Sequence, residues 1–69
     1  MKSCSGKRFC KIIECRGWIL VRINGSHHVY RKKGEDFAIS VPVHKNEDLK
    51  IGILKSLMKQ TNLTEDDLI

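Results

Sequence analysis

The dipeptide Asn24-Gly25, set between two runs of β-branched and aromatic residues, is the feature that most constrains this chain. Both residues tolerate positive φ, so the pair predicts a tight two-residue turn joining antiparallel strands. Residues 18–23, which open on Trp18 and Ile19, read as the first strand. His28, Val29, Tyr30 and Arg31 read as the second. Gly34-Glu35-Asp36 predicts another turn. Beyond it, Phe37, Ile39, Val41 and Val43 alternate with Ala38, Ser40, Pro42 and His44, the two-residue period of a strand with one buried face. Pro42 has no N–H to give to a ladder, so this third strand is expected at a sheet edge, or the proline at a strand end.

Helical periodicity flanks the strands. Phe9, Cys10, Ile12 and Ile13 recur between Lys7, Lys11 and Glu14, which predicts a helix over residues 6–16. Ser5 is placed to cap its start, and Gly17 to end it in a left-handed turn. Ile51, Ile53, Leu54, Leu57 and Met58 predict a second helix over residues 50–60. Gly52 in its first turn weakens that helix by up to about 1 kcal/mol relative to alanine. Thr64 and Asp67 have the spacing of a capping box for a short final helix. The order is helix, three-strand meander, helix. It predicts one α+β domain over residues 1–69, a two-layer α-β-β-β-α arrangement. Its three-strand antiparallel sheet has one face under the helices and the other open.

At 69 residues the core is modest, because a chain of this size buries only about 60% of its unfolded surface. Hydrophobic residues make up 41% and charged residues 30%, a globular balance that argues against disorder. No apolar run approaches the roughly 18 residues of a membrane span. The basic start, from Lys2 to Arg8, is not followed by the apolar segment of a secretory signal. Cys4, Cys10 and Cys15 are odd in number and lack Cys-x-x-Cys spacing, so free thiols in a reducing cytoplasm are expected.

Charge divides the chain unevenly. Residues 1–33 carry nine Lys or Arg against Glu14 alone, a net of +8, whereas residues 34–69 carry four Lys against seven acids, a net of −3. A basic half suits a polyanion such as nucleic acid; it also suits a merely solvated surface. Arg22, Arg31, Lys32 and Lys33 are candidates for phosphate contact, which positions a nucleic acid without reading its sequence. The other reading of the Arg31-Lys32-Lys33 run is a charged strand edge that discourages pairing. Tyr30 and Trp18 can stack on bases, although Trp18, directly after a helix, is expected in the core.

Histidine is the side chain best suited to moving protons near neutral pH, and the chain has His27, His28 and His44. Adjacent strand residues point to opposite faces, so His27 and His28 cannot serve one face together. His27 shares parity with Val29 and Arg31, and His28 with Tyr30 and Lys32. Parity alone does not say which set looks outward, and both can be ordinary strand histidines. The three histidines and three cysteines fit no compact zinc spacing, so neither a metal nor a cofactor is expected. Asn24-Gly25-Ser26 reads as a hairpin turn and not as a phosphate-binding loop.

Taken together these residues resemble the HicA toxins. The resemblance is carried by Gly17-Trp18, Leu20-Val21-Arg22, Gly25-Ser26-His27-His28-Val29-Tyr30, Val41-Pro42-Val43-His44, Asp48-Leu49-Lys50-Ile51-Gly52-Ile53-Leu54 and Met58-Lys59-Gln60. It runs from about Ser5 to Leu68. It implies a double-stranded-RNA-binding-like fold and an mRNA interferase that cleaves RNA and blocks translation. It also implies a HicB antitoxin partner that covers the active site. The histidine of Gly-Ser-His falls on His27, which the resemblance makes the catalytic residue, with Ser26 and His28 as possible helpers. One departure is Ile51, where many relatives carry proline before the glycine that opens the second helix. A non-catalytic RNA-binding module and a protein-interaction domain are the competing expectations.

Overall fold

The computed structural model describes residues 3–68; the basic residue Lys2 lies outside them, as do Met1 and Ile69. The chain forms α1 (Gly6–Glu14), β1 (Trp18–Asn24), β2 (His27–Lys32), β3 (Ala38–Pro42) and α2 (Ile51–Thr61), followed by a 3₁₀ turn at Glu65–Leu68. The predicted α-β-β-β-α order is therefore observed, with helices and a three-stranded antiparallel sheet in the order β1-β2-β3.

Local chemistry explains the element boundaries. The Ser5 hydroxyl accepts from the Arg8 N–H at 3.1 Å and caps α1. The helix stops at Glu14, two residues short of the expected end. Residues 15–17 form a turn in which Gly17 takes φ 97°. The hairpin turn is displaced by one residue from the expectation. Asn24 pairs with His27, so the two loop residues are Gly25 and Ser26. Gly25 occupies the first central position with φ 63°, as a type II′ turn requires, and Asn24 joins the strand. The displacement brings His27 into β2 as its first residue. The second helix is likewise one residue later than expected, and Asn62 closes it at φ 59°.

One face of the sheet is packed. Trp18, Tyr30, Ile39 and Val41 lie against Phe9, Ile13, Leu54 and Leu57, all at most 4% exposed. Phe37 and Val43 add partly buried flanks, so the alternation read from residues 37–43 marks the core face. Trp18 meets Phe37 at 5.9 Å between ring centroids. Pro42 ends β3, which is an edge strand, and both sequence expectations for it hold. The register of β1 on β2 shifts between Leu20 and Arg22, leaving Val21 as the extra residue of a bulge. Without that bulge Arg22 would share a face with Leu20 and Tyr30; with it, Arg22 stands opposite Val29. No helix among the described residues is long and apolar enough to cross a membrane.

The end of the chain is tied back to α1. Asp67 accepts from the Thr64 N–H at 2.8 Å and from the Thr64 hydroxyl at 3.1 Å, the capping pair expected from their spacing. It also pairs with Arg16. The Thr64 backbone N–H is the main cause holding the Asp67 carboxyl below the ordinary carboxylate range, partly offset by desolvation and reinforced by the Thr64 hydroxyl and Arg16. A depressed folded-state pKa means that the carboxylate stabilises the fold above the ordinary range, and that this is lost as pH falls through the folded value. The stability margin of the wild type over Asp67→Asn is therefore expected to be steady near neutrality and to shrink below about pH 4. Urea denaturation across a pH series measures it, and a margin unchanged down to about pH 2 contradicts the assignment.

Candidate functional site

Register sorts the sequence candidates between the two faces. His27, Val29 and Arg31 of β2 stand opposite Pro42, Ser40 and Ala38 of β3, and Asn24, Arg22 and Ile19 of β1. This is the open face, because the alternate positions carry the core residues Tyr30, Ile39 and Val41. His27, Arg22 and Arg31 are all exposed and share it. Lys33 is exposed in the turn that follows β2.

Three expected contributors are elsewhere. Tyr30 is 1% exposed, and its hydroxyl donates to Glu14 Oε2, so its ring is a core element and is not offered to a base. Burial pushes its phenol well above the ordinary tyrosine value, and hydrogen bonds with Cys10 and Glu14 push the same way. His28 has the parity of Tyr30 and lines a groove against α1 with Lys7, Cys10 and Lys11. It cannot help His27 across the sheet. Lys32 lies on that same helix-side parity, with its stem close to Gly17, and so leaves the basic face of Arg22 and Arg31. In each case the two-residue alternation of a strand decides the matter.

In place of His28 the fold supplies His44. A pocket of about 330 Å³ is lined by His27 and Pro42 from the sheet, by His44, Glu47, Asp48, Leu49 and Lys50 from the connection after β3, and by Ile53 of α2. The His27 Nδ1 lies 3.2 Å from the Ser40 hydroxyl, and the His44 Nε2 lies 3.2 Å from the Ser26 hydroxyl. Ser26 precedes His27 in the chain, so the two imidazoles are linked by one residue and one hydrogen bond. The Val43 N–H donates to the Ser26 carbonyl at 2.7 Å and holds the strand ends together. Just past His44 the chain turns sharply. Lys45 sits at φ 53°, and the Glu47 N–H donates to the His44 carbonyl at 2.9 Å. A lysine in the left-handed region costs of order 1 kcal/mol, strain of the kind that gathers at functional sites.

The arrangement has defined chemical capacity. When His27 donates its Nδ1–H to Ser40, Nε2 keeps a lone pair and is a base. The N-cap of α2 is Lys50, whose side chain makes no cap hydrogen bond, so the first N–H groups of the helix join the Lys50 ammonium in attracting an anion. Glu47 and Asp48, which line the same pocket, oppose this attraction. His44 stands in the sequence as one of three histidines able to move protons, with nothing local to join it to His27. Its partnership with Ser26 spans 18 residues and leaves no local signal.

Comparison with protein-family models finds one whose description is the HicA toxin of bacterial toxin–antitoxin systems, matching residues 6–63. No curated protein matches the chain significantly. The matched stretch contains Ser26, His27, Ser40, His44 and Lys50.

Proposed function

The chain belongs to the HicA toxin family of bacterial toxin–antitoxin systems, and from that premise we propose that it is an mRNA interferase, an endoribonuclease that cuts mRNA without a metal ion and so blocks translation. The observation that carries this reading is His27, a histidine with one nitrogen held by Ser40, at the edge of an open pocket on a face that also bears Arg22 and Arg31. RNA brings its own nucleophile, the 2′-hydroxyl. His27 Nε2 takes the proton of that hydroxyl, the 2′-oxygen attacks the adjacent phosphorus, and the bond from phosphorus to the 5′-oxygen breaks. Lys50 and the start of α2 stabilise the charge that gathers on the phosphoryl oxygens, a task preorganised donors perform well in a partly enclosed site. Arg22, Arg31 and Lys33 hold the strand by its phosphates.

A HicB-type antitoxin completes the reading. It neutralises the toxin by covering His27 and the pocket, and acidic groups on it complement the basic face and speed the encounter.

The test is a defined single-stranded RNA incubated with the purified protein in EDTA. Expected are fragments ending in a 2′,3′-cyclic phosphate, with 5′-hydroxyl partners. Intact RNA together with salt-sensitive binding would instead establish a non-catalytic RNA-binding module. Intact RNA with no binding at low salt would leave a protein-interaction domain.

A further inference from the structure

Cleavage through the 2′-hydroxyl requires two proton transfers, one from the nucleophile and one to the departing 5′-oxygen. His27 accounts for the first. We propose that His44 is the general acid that supplies the second, so that the site is a two-histidine device whose members come from β2 and from the connection after β3. The proposal rests on the reading of His27 as the base.

Geometry selects His44. It is the other imidazole on the wall of the pocket that His27 borders, and its Nε2 lies 3.2 Å from the Ser26 hydroxyl. That contact engages one ring nitrogen and leaves the other, Nδ1, for substrate. His28 is removed by strand parity to the helix side. Lys50 lines the pocket too, but an ammonium releases its proton near neutral pH far less readily than an imidazolium does. Glu47 and Asp48 share that wall, but imidazole is the side chain whose ordinary range matches a proton donor near neutral pH. The backbone supports the role: Val43 is bonded to Ser26, and Lys45 takes φ 53°, so His44 is clamped on both sides.

The step balances. The 2′-hydroxyl proton passes to His27, the new bond joins the 2′-oxygen to phosphorus, and the bond from phosphorus to the 5′-oxygen breaks. That oxygen leaves as a hydroxyl with the proton from His44. Each histidine ends in the state its partner began in, and proton exchange with water restores both. Ser26 acts through His44 and is a positioning residue.

A change of leaving group separates an acid from a structural residue. Two dinucleotide substrates are used, one with the natural 5′-oxygen and one with a 5′-bridging sulfur, whose thiolate departs without a proton. His44→Ala and His44→Gln, the latter keeping a polar partner for Ser26, are expected to lose about 10²-fold on the oxygen substrate. Both are expected to cleave the sulfur substrate close to the wild-type rate. His27→Ala is expected to lose on both. Equal losses on the two substrates in both His44 variants would make His44 structural and overturn the proposal. So would full activity on the oxygen substrate. If the wild type cleaves neither substrate, or His27→Ala cleaves like the wild type, the His27 reading itself fails and the His44 proposal falls with it.

Discussion

His27→Ala is expected to lower the rate of RNA cleavage by about 10²–10⁴-fold, the usual worth of a positioned general base. The protein itself should be almost unaffected. His27 is exposed, and its hydrogen bond is to the exposed Ser40, so truncation removes at most about 1 kcal/mol of stability. The phosphate contacts proposed for Arg22 and Arg31 do not involve His27, and RNA binding should therefore persist at the wild-type salt dependence. The neighbouring variant is the control: His28→Ala changes a side chain on the helix side of the sheet and is expected to leave the rate within a few-fold of wild type. Single-turnover cleavage of a labelled RNA, read beside binding of the same RNA, measures both. Comparable losses in the two variants would mean that sheet integrity is being read, and the role assigned to His27 would fail.

Gly6→Ala is expected to destabilise the fold by about 2–3 kcal/mol, near the top of the usual overpacking range. A Cβ at Gly6 would lie 2.1 Å from the Pro42 carbonyl oxygen and 3.2 Å from the Val43 Cα. Both are backbone atoms and cannot rotate away. The helix-propensity gain of alanine over glycine, up to about 1 kcal/mol, offsets only part of the clash. The segment is also pinned from the other side, because the Leu49 N–H donates to the Cys4 carbonyl at 2.8 Å and Ser5 bridges Asp48. Relief therefore requires α1, the end of β3 and the 48–49 segment to separate. Thermal denaturation should show the loss as a fall in Tm of about 10 °C or more for a domain this small. Pro42, Asp48 and Leu49 also line the pocket, so residual folded protein should cleave RNA more slowly than the wild type. Gly52→Ala, where a Cβ meets nothing within 4 Å, is the matched control for the substitution itself. A Tm for Gly6→Ala equal to that of the wild type would refute the close approach.

Much of this architecture is legible in the residues. The alternation from Phe37 to Val43 declares a strand and its buried face, since that period arises from the pleat and needs no partner. Ser5 and the Thr64–Asp67 pair act within three residues of themselves, and both occur as expected. Errors lie where a local signal has two solutions. Asn24-Gly25 admits a turn at either register, and pairing of Asn24 with His27 selects Gly25-Ser26. Tyr30 carries the same aromatic ring whether it stacks on a base or fills a core, and the packing of the helices over its face decides for the core.

The sequence by itself determined the order of elements, the antiparallel hairpin and the buried alternation of the third strand. Each of these follows from periodicity, from backbone φ or from neighbours close in the chain. Tertiary structure alone decided which histidine looks into a pocket and what accompanies it. Face assignment depends on the side the helices cover. The bulge at Val21 resets parity for Arg22, and the meeting of Ser26 with His44 is set by the β2–β3 register and the turn at Lys45. Such contacts are specified by the closing of the whole sheet, and short stretches of chain hold no record of them.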